Sequence, residues 1–244
     1  MFRSNFWILP ILLFIPSFFI TAQNLQAEEE YLQAYDRAIG LENTALFNGV
    51  EYVEEYRTIN NKHQFFFSRD FILGDVLYDA EVFYNVALKF DIFNNRLIAE
   101  LESDNTKTVL QLITDKVGWF KLGGKKFINV GTNETTSGFL ELIAGDETSG
   151  IFKKYVLNPS EKRDKQVMYY EFNPRKSRFF YSEGDGFYPV DSRRDLINIF
   201  PEEKKAISEF YKSNKSYLKN DKDQFMTSLY TELLPLLTAK NREL

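Results

Sequence analysis

Residues Ile72 to Leu101 read ILGDVLYDAEVFYNVALKFDIFNNRLIAEL, and this stretch decides the fold. Val82, Tyr84, Val86, Leu88, Phe90 and Ile92 fall on every second position, with Asn85, Lys89 and Asp91 between them. That is the period-2 signature of a strand with one face buried. Turn residues interrupt it at Asp79-Ala80-Glu81 and at Asn94-Asn95, where Asn tolerates a positive φ. The stretch therefore predicts three antiparallel strands and two turns, with Asp75, Asp79, Glu81 and Asp91 on the solvent side.

The same grammar continues downstream. Thr108 to Ile113, Val117 to Leu122, Lys125 to Val130, Phe139 to Ala144 and Ile151 to Leu157 are strand-length pieces, and Gly123-Gly124 is a hairpin turn. Beyond a charged loop from Pro159 to Lys165, two further strands, Val167 to Phe172 and Arg178 to Ser182, flank Asn173-Pro174-Arg175-Lys176. Gly184-Asp185-Gly186 leads into a last strand, Phe187 to Val190. Roughly ten strands on short turns, with no helix long enough for a parallel crossover, predict an antiparallel meander.

Helices close both ends. Glu28 to Ile39 places Tyr31, Leu32, Tyr35 and Ile39 at helical spacing, and Asn48-Gly49 marks a turn after it. Near the other end Ser192 caps a helix through Ile199, and Pro201, Glu202 and Glu203 open the next one. In that helix Ile207, Phe210, Tyr211, Tyr217 and Leu218 form the apolar face. Asp221 with Gln224 caps a third, carrying Phe225, Leu229, Leu233 and Leu236. The expected fold is mainly β with C-terminal α: a curved or barrel-like antiparallel β-meander with a short N-terminal helix and two to three C-terminal helices. It divides into a signal peptide (1–22), a meander domain (23–190) and a helical segment packed on the sheet (191–244). A membrane-spanning barrel is the rival, but most strands are shorter than the roughly 9 to 11 residues a crossing needs.

Composition and the N-terminus bound the setting. The chain has 244 residues and a formal charge of −5, so it offers no positive field for nucleic acid. It has no Cys, which excludes disulfides, thiolate metal sites and a Cys nucleophile. One charge in Met1 to Asn5, an apolar run from Phe6 to Ile20 and the small residues around Ala22 have the layout of a secretory signal peptide. The run contains Pro10 and Pro16 and is shorter than the roughly 20 residues of a spanning helix. No transmembrane helix is expected after cleavage, and the protein is expected to be exported.

No catalytic set emerges. The one His, His63, sits in a polar loop, and no Ser lies in a nucleophile motif. Gly123-Gly124-Lys125-Lys126 lacks phosphate-loop spacing, and Gly184-Asp185-Gly186 is too short for a calcium loop. No catalytic, metal or cofactor residue is assigned, and no cofactor is expected. Two aromatic runs, Phe65-Phe66-Phe67 and Phe179-Phe180-Tyr181, are the candidate contacts for a partner or an apolar ligand.

Gly74 to Asp91, with Leu46-Phe47-Asn48-Gly49-Val50-Glu51-Tyr52 upstream, resembles uncharacterised exported β-rich proteins of Gram-negative, Bacteroidota-like cell envelopes. Leu196-Ile197-Asn198-Ile199-Phe200-Pro201 and the Lys-rich helix after it are similar to how such chains end. The resemblance implies an envelope location in the periplasm or in peripheral association with the outer membrane, and no catalytic residues. The expectation is a non-enzymatic accessory protein that docks on another envelope or outer-membrane protein complex. Two alternatives are a carrier of an apolar ligand in the curved sheet and a hydrolase using two carboxylates.

Overall fold

A computed structural model describes residues 30–35, 38–59, 61–103, 106–165, 167–184 and 186–235. The expected signal peptide and the last residues of the C-terminal segment lie outside the described residues. The strands are β1 (Val50–Glu51), β2 (Ile72–Tyr78), β3 (Glu81–Asp91), β4 (Arg96–Ser103), β5 (Thr106–Gln111), β6 (Val117–Leu122) and β7 (Lys125–Thr132). They continue as β8 (Ser137–Gly145), β9 (Ser149–Lys154), β10 (Leu157–Asp164), β11 (Val167–Pro174), β12 (Arg178–Glu183) and β13 (Gly186–Pro189). Residues 30–35 and 38–39 are helical.

Among the described residues one antiparallel sheet of 11 strands runs in the order β1-β5-β4-β3-β2-β6-β7-β8-β9-β12-β13, and it does not close into a barrel. This is the curved meander that the strand spacing predicts, with one long return: β6 pairs with β2, at the far side of β2 from β5. Residues 112–116 alone make that return, and Thr114–Lys116 is wound into a 3₁₀ turn. A flat sheet would separate β5 from β6 by about 19 Å, beyond the reach of so short a wound connector. The sheet must curl. Leu112 N–H donates to Leu97 O (2.9 Å) and Asp79 N–H to Lys116 O (2.9 Å), tying the connector across the curl.

The β2–β3 hairpin turns on Asp79 and Ala80, with Tyr78 opposite Glu81 and φ of 53° and 68° at the two turn residues. Positive φ at both is the backbone of the primed turns that match strand twist. Alanine holds this conformation at a cost of about 1–2 kcal/mol. Ala80→Gly is therefore expected to stabilise the protein by about 0.5–1 kcal/mol after the added freedom of the unfolded chain is subtracted; urea denaturation measures it, and an unchanged or lower midpoint would refute it.

Within β3 the period-2 reading fails at one point. Gly74 faces Val86 while Val76 faces Phe83, so β3 carries one residue more than β2, at Asn85 with φ 54°. This bulge shifts the phase: Phe83 is buried, whereas Val82 and Tyr84 are only half-buried. Asp91 is likewise not on the solvent side. It is 1% exposed and accepts hydrogen bonds from Asn94 N–H and Nδ2, both at 2.9 Å, shaping the 92–95 turn. Burial raises its carboxyl above the usual range.

The expected charged loop from Pro159 to Lys165 is instead mostly strand. β10 pairs with β11 along its whole length, from Leu157↔Pro174 to Asp164↔Val167, as a ribbon outside the main sheet. The β10 residues are largely exposed and no apolar alternation marks them; the ribbon is anchored through β11, where Phe172 is buried against Tyr56 and Phe93 and Tyr170 N–H donates to Arg57 O (2.8 Å).

The concave side is filled with rings. Phe120 stacks on Phe127 at 4.8 Å, and Phe90, Phe139 and Phe66 pack edge-on or tilted at 5.0 to 5.7 Å within the same group. By alternation, Ile128, Leu140, Phe152 and Phe180 form a smaller cluster apart from it. The C-terminal helices are α1 (Arg193–Ile199), α2 (Lys204–Ser213), α3 (Lys215–Asn220) and α4 (Lys222–Ser228). Ser192 and Asp195 form a capping box on α1, and Asp221 caps α4. Leu196, Ile207, Phe210, Phe225 and Leu229 pack with Ile151, Phe179 and Tyr181 of β9 and β12. Tyr217 is 47% exposed, because the break at Asn214 rotates α3 away from the apolar face of α2. Among the described residues no helix is long and apolar enough to cross a membrane.

Candidate functional site

Of the six aromatic residues singled out in sequence, the fold buries five. Phe179 and Tyr181 lie under the C-terminal helices, Phe180 packs in the cluster with Phe152, and Phe65 and Phe66 are turned inward from the 61–70 loop. The two runs do not form one surface. Phe67 alone is exposed, at 76%, in a backbone with φ 64°.

The local chain explains this geometry. Phe65 bridges Asp91 and Phe66 N–H donates to Phe90 O (2.8 Å), so the run starts as an isolated β-bridge against the end of β3. Ser68 N–H then donates to Phe66 O (2.7 Å), closing a γ-turn with Phe67 at its centre. A γ-turn of positive φ is rare and strained, and a bulky residue in it is an outlier. The Phe67 ring rests over Gly123 of the β6–β7 turn.

Beside Phe67 opens a groove of about 1030 Å³. One wall is the 61–70 loop; the other is the chain around Tyr155 and the base of the β10–β11 ribbon at Phe172 and Arg175. Phe66 lies 5.3 Å from Tyr155 between them. Arg69 is held by Glu54 (3.4 Å) and Thr58 O (3.3 Å), and Lys62 by Glu171 (2.9 Å), while Arg175 takes part in no ion pair among the described residues. His63 Nδ1 accepts from Phe65 N–H at 3.2 Å, and burial and then Arg69 lower its pKa, so it stands as a neutral imidazole.

Of the acids in the central hairpins, Asp75, in the middle of β2, faces Lys121 (3.4 Å), Asp79, in the β2–β3 turn, pairs with Lys116 (2.6 Å), and Asp91 is buried against Asn94. Among the described residues no three His, Asp or Glu side chains come together to hold a metal ion. Tyr155, Phe172 and Arg175 went unseen in sequence because nothing local links them to Phe67; the curl of the sheet brings them there. Neither a family model, nor a curated protein, nor a solved structure matches the chain.

Proposed function

We propose that this is a non-enzymatic, exported accessory protein of the cell envelope that docks on another envelope or outer-membrane protein complex through the groove beside Phe67. The supporting observation is that ring itself, 76% exposed and held in a strained turn at the lip of an aromatic-floored groove. Strain of this kind persists where the surrounding structure enforces it, and exposed aromatics anchor interfaces. The carrier alternative draws less support, since Phe rings occupy the concave interior. The carboxylate hydrolase draws less too, since Asp75 and Asp79 each face a lysine.

Phe67→Gly separates binding from stability. Glycine adopts positive φ freely, so the variant is expected to be as stable as the parent or about 0.5 kcal/mol more stable. Capture of partners from crosslinked envelopes is expected to fall at least about tenfold, as for loss of a central aromatic anchor. Equal capture by parent and variant, or no partner above background with either, would overturn the proposal.

A further inference from the structure

Beyond the groove, sharing Ile92 and Tyr155 with it, lies a pocket of about 140 Å³ at the end of the sheet. Its apolar wall comes from Phe90, Phe93 and Phe139. A cavity near 150 Å³ is large enough for a benzene ring, so this one admits a group of about three to five carbons.

The polar lining of the pocket comes from Lys154, Asn95, Tyr155 and Ser137. Lys154, the last residue of β9, is half-buried and gives one hydrogen bond, from Nζ to Ser137 O at 3.0 Å. It belongs to none of the ion pairs among the described residues. The charge that acts on it is another cation, Arg178, directly across the ladder, and Arg178 is itself committed to Asp191 at 2.6 Å. Asn95 Oδ1 accepts from Phe139 N–H (2.9 Å), leaving the NH₂ as the half of that amide with hydrogen-bonding capacity to spare. Tyr155 OH is spent on Glu141, whose charge Lys125 neutralises. A half-desolvated ammonium with no counter-ion is unfavourable by itself, and in an acidic protein it marks a place where an anion is missing. Burial also lowers the Lys154 pKa, as expected for a cation lacking its partner.

We propose that this pocket binds the carboxylate of a short aliphatic acid group, with Lys154 as counter-ion, Asn95 as second donor and the rings of Phe90, Phe93 and Phe139 around the alkyl part. The group is either a free short-chain acid or a glutamate side chain presented by a bound polypeptide. The inference stands whether or not the groove beside Phe67 docks a protein.

The purified protein is titrated with butyrate, 1-butanol and butylamine while amide NMR shifts are followed. Butyrate is expected to saturate with a Kd of about 1–10 mM, at least about tenfold tighter than butanol, with butylamine not binding. Lys154→Met, checked for folding by circular dichroism, is expected to bring butyrate to the butanol level. The comparison among the three probes on the parent protein holds even if that variant fails to fold. Butyrate no tighter than butanol, no saturation by about 50 mM, or unchanged butyrate binding in a folded Lys154→Met would overturn the proposal. Acetyl-Gly-Glu-Gly-amide distinguishes the two sources: tighter binding than butyrate identifies the glutamate side chain, weaker binding the free acid, and both support the carboxylate site.

Discussion

Gly74→Ala is expected to destabilise the protein by about 3 kcal/mol or more and to lower its Tm by about 6–12 °C. A Cβ at this position would lie 2.2 Å from the carbonyl oxygen of Lys121, and 3.2 and 3.4 Å from methyl groups of Leu88 and Leu122. The first of these is backbone, so no rotamer change relieves it. Relief requires β2 and β6 to part, and their pairing joins the β5-to-β2 half of the sheet to the β6-to-β13 half. Glycine within a strand is the mark of such close backbone approach. Gly124→Ala is the control: Gly124 has φ 75° but nothing within 4 Å of an added Cβ, so it should show only the conformational cost of about 1 kcal/mol. Thermal unfolding of the two variants decides the matter, and a Gly74→Ala midpoint within about 2 °C of the parent would refute the steric account.

The same glycine shows how far the sequence could be read. In ILGDVLY it looks like a minor interruption of a strand, because the Lys121 carbonyl that it admits comes from a strand far along the chain. Local chemistry was legible: Gly123-Gly124 makes its turn, Ser192 and Asp221 cap their helices, and β6 runs from Val117 to Leu122 as the pattern predicts. Patterns that depend on one extra residue were not. Asn85 looks like an ordinary polar position, yet its left-handed backbone flips the phase of β3 and exchanges Phe83 for Tyr84 in the core. β10 was invisible for a different reason, since a strand exposed on both faces has no apolar period. At the site, aromatic runs pointed to Phe67 but not to its neighbours. Which of three consecutive phenylalanines stays outside is decided by a γ-turn, and tertiary contacts impose that turn.

Lys125→Met is expected to cost about 3 kcal/mol, while Glu141→Gln costs only about 1 kcal/mol. Glu141 is 3% exposed; one carboxylate oxygen takes Lys125 Nζ and the other accepts the Tyr155 hydroxyl at 2.6 Å. Burial and this bond push the Tyr155 phenol up, so it remains a donor. Removing Lys125 leaves a buried carboxylate whose remaining side-chain donor among the described residues is the neutral Tyr155 hydroxyl, since Lys153 across the ladder is committed to Asp223, and such a charge is costly. Removing the charge instead leaves Lys125, whose side chain is 37% exposed, free to turn to water, and the glutamine oxygen still accepts from Tyr155. The double variant Lys125→Met with Glu141→Gln should therefore be about 2 kcal/mol more stable than Lys125→Met alone, because it contains no uncompensated ion. Urea denaturation of the four proteins tests this as a cycle; equal costs for the two single variants would show that Glu141 meets solvent. The consequence reaches the binding surfaces, because Tyr155 forms part of the wall of both the groove and the carboxylate pocket. A Lys125→Met protein that still folds should lose butyrate affinity without any change to Lys154, since the ring that separates the two cavities is fixed in place through Glu141.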